Sequence, residues 1–213
     1  MSILVLTSDT LSSPAAAGQI EYSSPIFAAT PIGTQRGIVP TQQYYRLDSS
    51  LAGANSTSAQ NIFGVGVTLS ASTVYEFEML ATFSKSAGAT SHNFGFGFGG
   101  TATLNNILYE AVGGYLISAT PSGTLITGAS SNGLGSIANS ATQTPISTAL
   151  ASAALTLTYI VKGTVSINAG GTFIPQYTLS AAPGGAYTTV AGSYIRIAPI
   201  GASGSVINVG TWS

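Results

Sequence analysis

Between Leu155 and Ile167 the side chains alternate without a break. Leu155, Leu157, Tyr159, Val161, Val165 and Ile167 fall on one side, and Thr156, Thr158, Lys162, Thr164 and Ser166 on the other. Successive side chains of a strand point to opposite faces, so this period of two is the mark of a half-buried strand. At ~3.3 Å per residue such a strand reaches roughly 40 Å, long for a globular protein. Gly163 offers a place for it to bend. Val74 to Phe83 repeats the pattern, with Tyr75, Phe77, Met79, Ala81 and Phe83 against Glu76, Glu78 and Thr82. Helical periodicity is almost absent, and 26 glycines interrupt what little there is. The pattern predicts an all-β chain built from antiparallel strands with one wet face.

The punctuation between the strands points the same way. Asn168-Ala169-Gly170-Gly171 is a turn, and the alternating run Thr172 to Ser180 follows it, so the two long runs read as a hairpin. Pro175 has no N–H to give to a ladder, which predicts an edge or a bulge there. After the turn at Ala182 to Gly185 a strand is expected over Tyr187 to Pro199. A last one is expected over Val206 to Trp212, paired in the sheet. In His92 to Phe98, Phe94, Phe96 and Phe98 share the face that should bury. Gly95, Gly97 and Gly99 share the face that lets another backbone approach, that of another subunit or, more simply, that of a facing sheet. Residues 1–60, broken by Pro14, Pro25, Pro31 and Pro40, read as an extended arm or irregular β segment, the attachment part. Residues 61–213 read as the β-sandwich domain. Residues 119–143, rich in Ser, Thr, Gly and Asn, read as a long surface loop.

Charge is the second constraint. Only 5% of the 213 residues are Asp, Glu, Lys or Arg, against about 25% in an ordinary soluble domain. A compact monomer of this mass exposes roughly 9,000 Å², and so few charges defend it poorly against association. The chain should therefore work with much of its surface covered, in an assembly. The net charge is −1, and the basic residues Arg36, Arg46, Lys85, Lys162 and Arg196 are scattered. That removes nucleic acid and acidic membranes as partners. There are no cysteines, hence no disulfides and no thiolate metal sites. The apolar run Ile3 to Leu6 is too short for a signal peptide. Thr144 to Val161 is uncharged, but its Pro145, its hydroxyls and its period of two read as β structure and not as a membrane span.

Catalytic patterns are thin. A Ser-His-Asp set would have to use His92, the single histidine, and no G-x-S-x-G surrounds a candidate serine. A histidine at the start of a strand is more simply hydrogen-bonded or exposed. Glu76 and Glu78 lie two apart on one strand face, about 7 Å, a spacing a glycosidase could use. They sit, however, on a face that looks solvated. Asp9, Asp48 and the glutamates form no ligand loop for calcium. The glycines at 95–100 lack the lysine and helix of a phosphate loop. Tyr44, Tyr45, Tyr109, Tyr115 and Trp212 could form an aromatic platform for a glycan, with packing the simpler use for most. Arg36 and Arg46 lie near Glu21 and Asp48 and could fix the register of the N-terminal segment. The expectation is a chain with no catalytic, cofactor or metal residues.

Several stretches resemble a known family. Ser13 to Tyr22 is followed by Phe27-Ala28-Ala29-Thr30-Pro31 and Arg36-Gly37-Ile38-Val39-Pro40. Further along come Tyr75 to Glu78, Phe98 to Ala102, Gly170 to Gln176 and Ala191 to Tyr194. Together they resemble structural proteins of tailed bacteriophages, notably those of cyanobacteria and marine bacteria, over most of the chain except residues 111–150. The resemblance implies a β-rich, often trimeric virion component made in the host cytoplasm, and it carries over no functional residue. In related fibre proteins such a stretch follows a shaft. Here it starts almost at Met1, which suits a capsid decoration or cement protein. The expectation is thus a jelly-roll-like antiparallel β-sandwich, assembled as a homotrimer on the major capsid protein lattice. The alternative is a short tail fibre that recognises a host surface polysaccharide through residues 119–143 or through surface tyrosines.

Overall fold

The computed structural model describes residues 5–121 and 134–212, and no helix occurs among them. Three strands stand apart as an antiparallel meander: β1 (Gln19–Ser23), β2 (Ile26–Ile32) and β3 (Gln35–Val39). The remaining strands make two sheets. The larger contains β4 (Gln43–Arg46), β5 (Leu51–Ala52), β8 (Thr73–Lys85), β10 (Thr103–Leu116), β11 (Leu134–Ala138), β13 (Leu155–Ala169), β15 (Thr188–Thr189) and β16 (Tyr194–Ala202). The smaller contains β6 (Gln60–Asn61), β7 (Val67–Leu69), β9 (Phe94–Gly99), β12 (Thr144–Pro145) and β14 (Gly171–Leu179).

The pairings are nested. β4 pairs with β16, β7 with β14, β8 with β13, and β9 with β12, all antiparallel. Together they form one long ribbon. Folding that ribbon over brings β16 beside β8 and β14 beside β9. Neighbours in one sheet therefore run β4-β16-β8-β13, and in the other β7-β14-β9-β12. This is the jelly-roll topology, with its two Greek keys. The hairpin β10–β11 is inserted between β9 and β12 and widens the larger sheet beyond β13.

The alternation read from the sequence places the core. Tyr75, Phe77, Met79, Ala81 and Phe83 of β8 and Leu157, Tyr159 and Val161 of β13 are buried on the inner face. Phe94, Phe96, Phe98, Phe173 and Tyr177 face them from the smaller sheet. Phe98 stacks on Phe173 at 4.4 Å between centroids, Phe77 meets Phe98 edge-on at 5.2 Å, and Phe83 lies 5.2 Å from Tyr177. Each such pair adds about 0.5–1.5 kcal/mol beyond its buried area.

Several expectations need amending. The runs Leu155 to Ile167 and Thr172 to Ser180 form no hairpin: β13 pairs with β8 and β10 in the larger sheet and β14 with β7 and β9 in the smaller, so the turn at Asn168 to Gly171 carries the chain from one sheet to the other. Val206 to Trp212 forms no strand, and Trp212 is 80% exposed. β16 is paired by β8 over Tyr194–Ala202 and by β4 over Tyr194–Ile197, and the chain leaves the sheet at Ala202. Pro175 lies in a central strand, yet without cost. It sits where the partner of β14 changes from β7 to β6, and its carbonyl accepts from the Ile62 amide across that gap. What approaches Gly97 is not the facing sheet but the segment just before β12. A Cβ there would lie 2.8 Å from the Ala141 carbonyl. Gly163 likewise marks the closest approach of β10, against the Leu108 carbonyl and Tyr109. The surface loop expected over 119–143 ends earlier, because Leu134–Ala138 pairs with β10 as β11; positions 122–133 lie outside the described residues. Of the arm expected over 1–60, the separate meander ends at Val39, and β4 and β5 join the larger sheet.

Candidate functional site

Three places hold the polar or unpartnered groups that a function would use. The first is a buried corner at the end of β8. The Lys85 ammonium, with the residue only 3% exposed, donates to the carbonyls of Ala87, Gly88, Ser152 and Ala153 and lies 5.8 Å from the centre of the Tyr187 ring. Among the described residues no carboxylate joins it. Burial pushes its pKa down, while the four carbonyl dipoles hold the charge. Beside it, His92 is 1% exposed. Its Nδ1 meets the Thr90 carbonyl at 2.7 Å and its Nε2 meets the Tyr187 hydroxyl at 2.8 Å. Burial pushes the His92 pKa down, with Lys85 acting in the same direction against the Thr90 carbonyl. Both ring nitrogens are engaged, so this histidine ties loops together and faces no cleft. Sequence reasoning gave no signal for Lys85, because its carbonyl partners lie in loops distant along the chain.

The second place is the N-terminal meander. Its cross-strand rows are Ile20–Ala29–Gly37 and Tyr22–Phe27–Val39. Side chains in these rows share one face, and none carries a charge. Tyr22 stacks on Phe27 at 4.7 Å. Ile20 is 69% exposed and Val39 41%. The opposite face buries Ile26, Ala28 and Thr30. There the Arg36 guanidinium donates to Glu21 at 2.9 Å and to the Ser12 carbonyl at 2.6 Å, which pins the incoming segment to the sheet. The Ser12 amide, with help from Arg36, holds the Glu21 carboxyl below its usual range. Sequence placed Arg36 and Arg46 near Glu21 and Asp48 without assigning partners; the structure pairs Arg36 with Glu21.

The third place is the outward face of the larger sheet. Register aligns Glu110, Lys162, Glu78, Arg196 and Tyr44 in one row across five strands. Glu78 is the hub. Arg196 donates to its Oε2 at 3.0 Å, Lys162 lies 3.4 Å from the same oxygen, and the Tyr194 hydroxyl donates to Oε1 at 3.2 Å. Arg196 above all holds the Glu78 carboxyl below its usual range. The Tyr44 ring stacks on Tyr194 at 5.4 Å and stays 57% exposed. Next to this row the residues are small: Gly163, Thr164 and Ala198. The result is a depression of about 380 Å³ whose lining includes Gln42, Glu76, Glu78, Lys162, Thr164 and Arg196.

No family model matches the chain, and no curated protein matches it. Among solved structures, one described as infectious bursal disease virus Gx strain is similar at 12% identity, with a TM-score of 0.19, over 91% of this chain and 52% of that one. The chain thus spans about half the length of that protein.

The residues singled out from sequence scatter over these places. Glu76 and Glu78 do share a face, now joined by two cations. Asp48 pairs with Arg46 at 3.2 Å on the surface, and Asp9 lies in the segment that leads into the meander. Among the described residues no three His, Asp or Glu side chains gather in a way that could hold a metal ion. The five aromatics proposed as a platform separate: Tyr109 is buried in the core, Tyr45 meets Phe63 edge-on at 5.9 Å, and Trp212 stands alone near the C-terminus. Only Tyr44 remains on the polar face, with Tyr194 as a partner that the sequence did not indicate.

Proposed function

We propose that this chain is a non-catalytic virion structural protein, a capsid decoration protein that grips the assembled head. The observation that carries the reading is the uncharged outward face of the N-terminal meander. A three-stranded sheet buries too little on one face to spare the other, yet on this face Ile20 and Val39 stay exposed and Tyr22, Phe27 and Ala29 are only half-buried. The resemblance of this same stretch to tailed-phage structural proteins supports it, as does a jelly-roll fold, an architecture shared by viral capsid and lectin domains. Fold alone assigns no function; the meander supplies the specific surface.

The mechanism is mass action. A protein that binds the closed lattice and not its loose subunits stabilises the lattice by the free energy of that binding. Three copies joined in one trimer turn three weak grips into a strong one. The test is co-sedimentation with heads that lack the protein. The double variant Ile20→Asp/Val39→Asp should remain in the supernatant while the unaltered chain pellets with the heads. Normal occupancy by the variant would overturn the grip. Immunogold labelling of virions with antibody to this chain should decorate the head, and label confined to the tail would overturn the decoration role.

A further inference from the structure

We infer that residues 206–212 of one copy dock as a strand on the open edge of a second copy's sandwich, with the Trp212 ring in an apolar hollow between its two sheets. This contact rests on the self-association proposed above and is separate from the meander's grip on the head.

One side of the sandwich is left open. Among the described residues β4 is paired on one side only, by β16, and β7 on one side only, by β14. The Leu47 amide donates to the Ser193 carbonyl, and the Leu47 carbonyl accepts from the Gly192 amide. Backbone groups alternate in direction along a strand, so those of Tyr45 and Gln43 also turn to β16, and those of Tyr44 and Arg46 turn outward. The Pro175 carbonyl faces Ile62, and Phe173, two positions before it, is in register with Val67. By the same alternation Val67 turns to β14 and Thr68 turns outward. Natural sheets blunt such edges with charge, proline or a covering element. Here Arg46 is the one charge in either strand.

Between these two edges lies a hollow of about 340 Å³, lined by Tyr45, Phe63, Val67, Phe173, Ile195 and Ile197 among others and by no charged side chain. Phe63, Phe173, Ile195 and Ile197 belong to the core, so the hollow is a gap in the core's own wall. The volume lies at the low end of the ~300–1,000 Å³ of small-ligand sites, which suits one large side chain. Gln43 and Thr68 also line it and offer acceptors to the N–H of an indole, which takes a partner when buried. A small apolar molecule would fill the hollow and leave the edge bare. A strand does both, because its backbone pairs with the edge while every second side chain turns between the sheets.

The chain also carries a strand pattern without a ladder. Residues 206–212 read Val-Ile-Asn-Val-Gly-Thr-Trp, uncharged and rich in β-branched and aromatic side chains. They pair with no strand in their own copy, and Val206 and Trp212 are 91% and 80% exposed. Extended, the segment puts Val206 and Trp212 on one face. Its own hollow is not where it lies. Ile195 and Ile197 line that hollow, whereas the chain leaves β16 at Ala202, roughly 17 Å further along the strand. From there it runs beside the meander, where a Cβ on Gly210 would lie 3.5 Å from the Arg36 carbonyl. The segment thus points away from its own sandwich and is free to reach another. Such a contact is head-to-tail, the kind that closes copies into a ring.

Trp212 is the single tryptophan, so its fluorescence reports the docking directly. In the associated fraction of the intact chain its emission should lie at short wavelength and resist quenching by acrylamide. Val65→Asp puts a charge at the exposed rim of the hollow. It should return the emission to that of an indole in water and weaken association at least about tenfold. Gln43→Arg, at another exposed rim position, should do the same, and Ile20→Asp/Val39→Asp should leave the emission unchanged. Equal denaturation midpoints show which variants are folded. The decisive step is a mixture. Val65→Asp keeps a free Trp212 beside a blocked hollow, and Trp212→Ala keeps an open hollow and no fluorophore. Mixing the two should move the emission to short wavelength. A mixture of folded variants without that shift, or an intact chain that stays monomeric at micromolar concentration, would overturn the docking. A trimer whose Trp212 remains open to water would overturn it too, while leaving the trimer itself standing.

Discussion

Two buried residues show how this chain uses its few ionisable groups. Lys85 acts as a bolt: its ammonium gathers four loop carbonyls at one end of the sandwich and, among the described residues, brings no counter-ion. Lys85→Met would fill the same space and orphan those carbonyls, which carries a cost of roughly 2–4 kcal/mol. Urea denaturation should show a lower midpoint with an unchanged slope. His92 gives a pH signature. Its folded-state pKa is depressed by burial, so the unfolded chain takes up the proton first as pH falls. The stability tied to His92 is complete above its unfolded value of about 6.5. It is lost as pH drops from there through the lower folded value. Because this is the single histidine, the loss of stability between pH 7 and 5 should vanish in His92→Gln. Thermal melts across that range, compared between the two proteins, check the sign. A wild-type chain that gains stability toward pH 5 would contradict it.

At the scale of the element, the long strands were legible and the short ones were not. β8, β13 and β14 alternate over enough residues to declare both their faces, and their turns carry Asn and Gly. β5, β6, β12 and β15 are two residues each, too short for any period, and exist because a long neighbour offers them an edge. β11 was hidden for a related reason: its small residues carry no pattern, and β10 supplies the template. The expected strand at Val206 to Trp212 failed on the opposite ground, since a pattern alone supplies no partner strand. The candidate site was half legible. The shared face of Glu76 and Glu78 followed from spacing, whereas Lys162, Arg196 and Tyr44 joined them only through register with distant strands. The meander illustrates the same division. Its prolines announced an interrupted segment, but not that two rows of apolar residues would face outward. If that face serves another molecule, the Ile20→Asp/Val39→Asp variant should unfold within about 0.5 kcal/mol of the parent, as exposed substitutions do. Equilibrium denaturation decides it, and a large loss would place the face inside the chain's own core instead.

For the whole molecule, the scarcity of charge sets the expectation of partners. The described surface leaves Ile20, Ile32, Leu108, Ile137, Val206 and Trp212 more than half exposed, with little repulsion to keep copies apart. The proposed trimer should give, by light scattering at micromolar concentration, three times the 21.3 kDa monomer mass; a monomer would leave the composition without that explanation. The nesting of the ribbon also has a temporal meaning. Its innermost ladder joins Gly95 to Pro145, and its outermost joins Tyr45 to Ile195. Closing the outer loop before the inner ones would forfeit the most chain entropy, so the ribbon should zip outward from β9 and β12, and slowly, as folds rich in distant contacts do. β4 is then the last strand to dock. Until it does, the edge of β16 stays bare, a template for any other unfinished copy. Because β4 also carries Tyr44, the step that covers the edge of β16 over Tyr194–Ile197 is the same step that finishes its outward polar face.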